Sequence, residues 1–590
     1  MTDYKNHVSE AAAQTISRWL KEPKFAEYRS ELEKLIADQR WNDLEDAFFK
    51  TIEFGTGGIR GTTGIGSNRI SKVTIGEATQ ALAQYIKELD PANVKAGIVI
   101  AYDTRSTSHE FSQFAAEVCA GNGVRALLFE SFRSTPELSF AIRHLKAAAG
   151  IVISASHNPP GDNGFKAYLS DGGQLVPPHD KAIIERTRTV DRIESINMEE
   201  ALQKGLIETI GSTVDEAYIS AVLHEALGSS RDLNIVYSPL HGAGQTNTLQ
   251  VLRRAGFQVD VVKEQMTPDG MFSTIESGKP NPEEKSANDL AVAQMLSSHA
   301  DIAITNDPDA DRIGVMVREG NQPVYLSGNQ AAVLATEFAL RKLFEIGTLT
   351  NRHYIAKTIV TTDMLKAIAD KYGVRVYGDL LIGFKYIGEL LLKKELTDEL
   401  FVIGGEESYG LLKGDYARDK DGAAGALVLA EYAAELKEEN KTLYGRFLEL
   451  YLEYGLYLER LDTIVCPGAE GFRQMERIMQ KLRSEPPAEV AGNEVTAMTD
   501  YLSLIKLDLA TGEKSSVACN TSGDVIVLEF ADERCRVTIR PSGTEPKLKL
   551  YVQWFCESRS DIEAVKDQVK ETNEVMELLS KELERALLTY

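Results

Sequence analysis

The sequence predicts an α/β protein in which three α/β units follow one another and a smaller C-terminal α+β domain closes the chain. Three observations carry that reading. From residue 70 onward, short β-branched runs alternate with amphipathic helical stretches, the pattern of strands joined by crossover helices. That alternation occurs three times over, with a strand in each unit ending in a Gly- or Asp-rich loop. After about residue 458 the character changes: Pro467, the Pro486-Pro487 pair and scattered glycines separate shorter segments that lead into one long helix. The length agrees, since 590 residues correspond to about four domains of roughly 150 residues each.

Taken in order, the first fifty residues read as a polar helical extension. Tyr28, Leu32, Leu35 and Ile36 fall at i, i+4, i+7 and i+8, one apolar stripe on a charged helix, the mark of a packing appendage without chemistry. In the first unit 97–101, 123–128 and 150–153 read as strands, with 110–120 a helix between them. The second unit has strands at 233–237, 259–262 and 302–304, and the third at 355–360, 374–376 and 401–403, followed by a helix over 425–438. The repetition is one of rhythm, without residue-level self-similarity. In the last domain 525–530, 535–539 and 547–552 read as strands, and Ile562, Val565, Val569, Thr572, Val575 and Leu579 keep helical spacing beyond them. The expected boundaries are 1–50 for the extension, 51–225, 226–325 and 326–458 for the α/β units, and 459–590 for the last domain.

With 65 Lys and Arg against 88 Asp and Glu, the net charge is −23, a field that repels nucleic acid and anionic membrane. It does not exclude an anionic substrate held by a local cluster of cations. The five cysteines, Cys119, Cys466, Cys519, Cys535 and Cys556, are widely spaced without a CxxC pair. A disulfide framework and a thiolate zinc site are therefore disfavoured, and a reducing compartment fits. The first residues lack the pattern of a signal peptide, and no apolar run approaches the ~18 residues of a membrane span, so a cytoplasmic protein is expected.

Asp307-Pro-Asp-Ala-Asp-Arg312 is the sharpest chemical signal. The carboxylates of Asp307, Asp309 and Asp311 alternate, and alternate side chains of an extended loop point the same way. Three converging anions repel unless a hard divalent cation sits among them. A calcium-binding EF-hand would carry Gly sixth and Glu twelfth, where this chain has Arg312 and Arg318. The pattern is instead the Mg²⁺ style of site, with few protein ligands and room for a substrate oxygen.

Ser154-Ala-Ser-His-Asn-Pro159 directly follows a predicted strand. Alone, a serine there reads as a cap or turn residue. A Ser-His-Asp hydrolase is disfavoured, because His157 adjoins Ser156 in sequence and there is no G-x-S-x-G elbow. Read together with the acidic loop, Ser156 is a serine that carries a phosphoryl group beside Mg²⁺, with Lys166 supplying charge or general-acid help. Arg540-Pro-Ser-Gly-Thr-Glu-Pro-Lys547 offers a guanidinium, two hydroxyls and a flexible Gly, the parts of a phosphate cradle, although a plain turn has the same composition. Gly404-Gly-Glu-Glu-Ser-Tyr-Gly410 has carboxylates and a hydroxyl to grip a sugar, or to open a helix. The run from Phe54 to Gly61 does not spell GxGxxG, so it is no dinucleotide fingerprint, but its glycines let backbone and Arg60 approach an anion.

In this order, SASHNP, DPDADR, GEES and RPSGTEPK resemble the four active-site loops of the α-D-phosphohexomutase family, the phosphoglucomutases and phosphomannomutases. FGTGGIRG, YSPLHGAG, PNPEE and GFKYIG are similar as well, so the resemblance covers nearly the whole chain. The helical extension and the length look most like the phosphoglucomutase-2-like branch, which includes phosphopentomutases and a glucose-1,6-bisphosphate synthase. The resemblance implies three α/β domains of similar topology and a fourth domain closing a central cleft. It implies that Ser156 is the phosphoserine, that Asp307, Asp309, Asp311 and the Ser156 phosphoryl hold Mg²⁺, and that Arg312, Lys166, His157 and Arg60 surround the transferring phosphoryl. Glu406 and Ser408 match the sugar-contacting pair, and Lys385 the lysine of the GFK motif. Arg540, Ser542, Gly543 and Thr544 match the loop for the non-transferring phosphate.

Two features depart from related patterns. Branch members carry T-x-T before GFK, where this chain has Leu380-Leu-Ile382, and GEESYG lacks the GEMSGH form of dual phosphomannomutases. The second favours a phosphoglucomutase. The expected activity is interconversion of glucose 1-phosphate and glucose 6-phosphate through a phosphoserine enzyme, with glucose 1,6-bisphosphate as intermediate and activator. Phosphomannomutase, phosphopentomutase and glucose-1,6-bisphosphate synthase activities are the alternatives. A non-catalytic sugar-phosphate sensor is disfavoured by the joint presence of Ser156, Lys166 and the three aspartates. The expected partner is a small-molecule phosphosugar, with no nucleic acid and no membrane, and the expected state a monomer or dimer.

Overall fold

In the computed structural model, which describes residues 4–52, 58–466, 468–517, 519, 521–542 and 547–589, three sheets share one four-strand plan. Each has a first strand flanked on one side by a parallel second strand and on the other by a parallel third strand, along which a return strand runs antiparallel. In the first unit these are Ile98–Tyr102, Ala126–Phe129, Ala149–Ile153 and Asp162–Leu169. In the second they are Asn234–Ser238, Gln258–Val261, Ile302–Thr305 and Gly314–Glu319. In the third they are His353–Thr358, Arg375–Leu380, Leu400–Glu406 and Gly410–Lys413. The rhythm of the sequence thus has a topological basis. The first unit adds Ile59–Thr62 antiparallel to its return strand and Ile207–Ile210 parallel to its second.

The central strands Ile98–Tyr102, Ala149–Ile153 and Ile302–Thr305 are almost wholly apolar runs because both of their faces are covered. Val99 and Ala101 enter one apolar cluster while Ile98 and Ile100, pointing the other way, enter a second. Parallel neighbours need crossover connections, which the helices Ser108–Gly121 and Thr135–His144 supply in the first unit. Only the step from third strand to return strand is a short loop, and it opens where the parallel strands end.

The C-terminal domain is an antiparallel sheet, with Leu456–Val465, Lys547–Cys556, Arg536–Pro541, Ile526–Phe530 and Asn493–Asp500 adjacent in that order. Helix Ile562–Leu588 packs against it. Its buried stripe differs from the expected one: Val575 is 45% exposed and Met576 takes the inward place, so the stripe continues through Leu579, Leu583 and Leu587. Ideal 3.6-residue periodicity leaves either neighbour possible, and the partner surface selects.

The extension forms three helices, Glu10–Lys21, Arg29–Ala37 and Trp41–Phe48, around Trp19, Phe25, Leu32 and Phe48. The predicted stripe is interrupted, because Tyr28 ends a 3₁₀ turn at Pro23–Tyr28 and a new helix starts after it. Leu32 and Ile36 are buried as expected, and Leu35 lies at the edge of the cluster. An apolar seam joins the third unit to the C-terminal domain: Ile359, Val360, Leu381, Ile382 and Tyr386 pack with Tyr501, Val525, Val527 and Tyr551. The leucine- and isoleucine-bearing loop is therefore interdomain packing.

Candidate active site

The equivalent third-to-return loops of the three units carry Ser156, the Asp307–Asp311 run and Glu406–Ser408, so one topology brings the chemistry-bearing segments to corresponding places. Ser156 is buried with a φ of +52°, a left-handed conformation that costs a non-glycine residue free energy and turns the loop sharply. Its hydroxyl donates to Asp307 Oδ2 at 2.6 Å, and His157 Nδ1 lies 3.1 Å from the Ser156 Oγ. Arg60, on Ile59–Thr62, stands opposite Gly164 in the neighbouring strand. A Cβ at Gly164 would lie 2.5 Å from the Ser154 carbonyl oxygen and 2.6 Å from that of Ile59, so a residue without a side chain is required where the strands and the serine loop meet.

Asp307, Asp309 and Asp311 are all buried, and one carboxylate oxygen from each lies within 4.8 Å of the others. Lys166 Nζ sits 2.6 Å from Asp309 Oδ2 and 3.2 Å from Asp311 Oδ2, and Lys420 Nζ sits 2.9 Å from Asp311 Oδ2. Thr135 donates to Asp309 Oδ2 at 2.7 Å. Burial raises the Asp309 carboxyl, but the Lys166 ammonium and the Thr135 hydroxyl outweigh it and hold it below the ordinary carboxylate range. Asp307 goes the other way, pushed well up by burial and by Asp311 and Asp309. The cations within reach therefore do not satisfy all three anions. Asp309 Oδ1 and Asp311 Oδ1 are buried without a hydrogen-bond partner, lone pairs of the kind a divalent cation fills. The donor set, all hard carboxylate oxygen beside a serine hydroxyl, fits Mg²⁺.

Arg312 closes the acidic loop on itself: its backbone N–H donates to Asp307 Oδ1 at 3.0 Å, while its guanidinium reaches Glu283 Oε1 at 3.5 Å. Burial, with Arg312 and Arg60 next in weight, lowers the His157 pKa well below the ordinary histidine value. In the third unit Ser408 donates to Glu406 Oε1 at 2.7 Å, and Lys420, which also reaches Asp311, stands 3.9 Å from that oxygen and links the Glu406–Ser408 segment to the acidic loop. A cavity of about 290 Å³ lies in front of these loops, lined by His157, Arg312, Ser408 and, from the C-terminal domain, Lys549 and Tyr551. All four domains thus face one space.

Arg540 is directly opposite Lys549 in the hairpin Arg536–Pro541 and Lys547–Cys556, and the Ser542 N–H donates to the Lys547 carbonyl at 2.8 Å across its tip. Gly543 and Thr544 lie outside the described residues. Lys385 is buried at the start of helix Lys385–Lys394, its Nζ 4.0 Å from Asp180 Oδ2, and its pKa is lowered first by burial. Sequence reasoning missed Thr135, Lys420 and the buried Arg105 behind the serine loop. Thr135 and Arg105 carry no local signal. Lys420 sits in the charged run Arg418-Asp-Lys-Asp421 just before a long helix, which could have marked it.

Descriptions of known proteins converge on this architecture. Phosphoglucomutase/phosphomannomutase, alpha/beta/alpha domains I, II and III, match residues 51–194, 216–320 and 327–451, and the C-terminal domain of the same family matches 504–572. The chain is similar to a phosphoglucomutase of Staphylococcus haemolyticus, 34% identical over 516 residues that cover 86% of this chain and 91% of that one. It is equally similar to one of Staphylococcus aureus strain MRSA252, 34% identical over 533 residues, 89% of this chain and 94% of the other. In fold it resembles a phosphoglucomutase/phosphomannomutase family protein of Burkholderia thailandensis, with TM-score 0.63 and 18% identity over 88% of this chain and 96% of that one. It also resembles parafusin of Paramecium, with TM-score 0.62 and 18% identity over 90% of this chain and 96% of the other.

Proposed function

We propose that this chain, which belongs to the phosphoglucomutase/phosphomannomutase family, interconverts glucose 1-phosphate and glucose 6-phosphate by way of a phosphorylated Ser156. The observation that carries the reading is the Ser156 hydroxyl set against a buried acidic triad in which two carboxylate oxygens have no partner. When bound by Asp307, Asp309, Asp311 and the Ser156 oxygen, Mg²⁺ would neutralise charge on the phosphoryl in transit.

In the first half-reaction the sugar 6-hydroxyl oxygen bonds to phosphorus as the Ser156 Oγ–P bond breaks. Glucose 1,6-bisphosphate forms, and the hydroxyl proton passes to a neighbouring base. In the second, after the intermediate has reversed in the cleft, Ser156 Oγ bonds to the 1-phosphorus as the P–O1 bond breaks, and O1 takes up a proton as glucose 6-phosphate leaves. The Ser156 proton has two acceptors within reach, Asp307 Oδ2 at 2.6 Å and His157 Nδ1 at 3.1 Å. Lys166, whose charged form Asp309 and Asp311 favour against the opposing effect of burial, and Arg312 supply positive charge beside the transfer. Glu406 and Ser408 orient the sugar hydroxyls, with Lys385 nearer Arg540 and the non-transferring phosphate. Arg540 and Ser542, with Gly543 and Thr544, hold that phosphate.

Side-by-side assay of glucose, mannose and ribose 1-phosphates, with and without glucose 1,6-bisphosphate, tests this. Preferred turnover of glucose 1-phosphate, stimulated by the bisphosphate, is expected. Preference for either other sugar would overturn the substrate, and net bisphosphate formation from an acyl phosphate would make the protein a synthase.

A further inference from the structure

Tyr102 and Ile153 are paired in parallel strands, so the loops that follow them leave the sheet side by side. The loop after Tyr102 carries Asp103 and Arg105, and both turn onto the loop that holds Ser156. Arg105 is 3% exposed, and its guanidinium donates to four backbone carbonyls of that loop: Ser156 and Asn158 at 2.6 Å, Pro159 at 2.7 Å and Asp162 at 3.0 Å. Asp103 holds the other end. Ser154 Oγ donates to Asp103 Oδ2 at 2.6 Å and accepts the Ser156 N–H at 2.8 Å. Asp103 Oδ1 in turn accepts the Arg105 N–H at 3.0 Å. The Phe272 ring of the second unit covers the guanidinium, its centroid 5.1 Å away.

We propose that Arg105 is a positioning residue for phosphoryl transfer, holding the Ser156 loop in its left-handed turn so that Oγ stays aimed at the acidic triad in both halves of the reaction. A strained turn persists only where its surroundings over-determine it, and here one planar fork fixes the carbonyl of the strained residue and three beyond it, while Ser154 and Asp103 hold the side before it. Lysine would keep the charge, but its three N–H donors radiate from one nitrogen and cannot span a set held by two separate guanidinium nitrogens. The inference rests on Ser156 being the phosphoryl carrier and adds what keeps it in place.

The test is the single-turnover rate at which glucose 1,6-bisphosphate phosphorylates Ser156, with bisphosphate affinity measured separately by calorimetry. Arg105→Lys is expected to slow phosphorylation by about 10²-fold, the scale of a 1 Å misplacement, while affinity changes by about twofold or less. In Arg105→Ala, added guanidinium ion should restore part of the rate. Ser154→Ala, which cuts the opposite anchor and leaves the fork in place, keeps the test available if the Arg105 variants do not fold, and should slow phosphorylation several-fold at unchanged affinity. Wild-type rates in folded Arg105→Lys, or in Ser154→Ala if the Arg105 variants do not fold, would overturn the positioning role. Failure of the wild-type protein to take phosphate on Ser156 would overturn the functional reading, and the role with it.

Discussion

Ser156 Oγ donates to Asp307 Oδ2 at 2.6 Å across 151 residues of sequence, so the serine side chain of one α/β unit is oriented by a carboxylate of the next. In both units the residue sits in the loop that joins the third strand to the antiparallel return strand. Chemistry placed there is sensitive to single atoms, and the expected effects of substitution follow from which atom is lost.

In the mechanism proposed above, Ser156→Ala removes the oxygen that stores the phosphoryl group between half-reactions. Mutase turnover should fall to near background while folding is retained, as measured by coupled assay alongside thermal unfolding. A variant with the wild-type rate would place the carrier elsewhere.

Asp309→Asn replaces a carboxylate whose Oδ2 faces Lys166 and Thr135 and whose buried Oδ1 has no hydrogen-bond partner. Loss of one electrostatic stabiliser should lower kcat by about 10²-fold, or ~2.7 kcal/mol, with little change in melting temperature. Activity that survives exhaustive chelation would remove the metal from the account.

Arg540→Ala should weaken glucose 1-phosphate and glucose 1,6-bisphosphate together by roughly 1.5–3 kcal/mol, the value of a charged hydrogen bond. Phosphorylation of Ser156 should remain possible. Calorimetry showing unchanged affinity for both ligands would leave the loop a plain turn.

Leu381→Ala opens the seam between the third unit and the C-terminal domain, where Leu381 is 3% exposed. A loss of roughly 2–5 kcal/mol is expected in denaturant titration, the cost of truncating a buried leucine. Stability within 0.5 kcal/mol of the wild type, roughly the scatter of a surface substitution, would show that the seam carries little of the domain contact.

The fold was legible in outline because strands buried on both faces must be apolar and β-branched, and the candidate loops because three alternating aspartates have few other uses and the remaining motifs gain meaning from standing with them in one order. What could not be read depends on distant register. Arg105 acquires its role only because Tyr102 lies beside Ile153 in the sheet, and Thr135 only because its helix begins against Asp309. The Leu380-Leu-Ile382 run stands where branch members carry T-x-T, and its apolar side chains fill an interface with Tyr501, Val525 and Tyr551 that the local sequence does not announce. Val575 and Met576 are adjacent apolar residues on one helix, and the sheet beneath it decides which is buried.

The most direct test of the account is to incubate the protein with glucose 1,6-bisphosphate, locate the phosphate by peptide mass spectrometry, and then add unlabelled glucose 1-phosphate. The account predicts one phosphoryl group on Ser156 that discharges to the sugar, with glucose 6-phosphate released as the cycle continues. Phosphate on any other residue, or a Ser156 phosphate that glucose 1-phosphate does not remove, would contradict it.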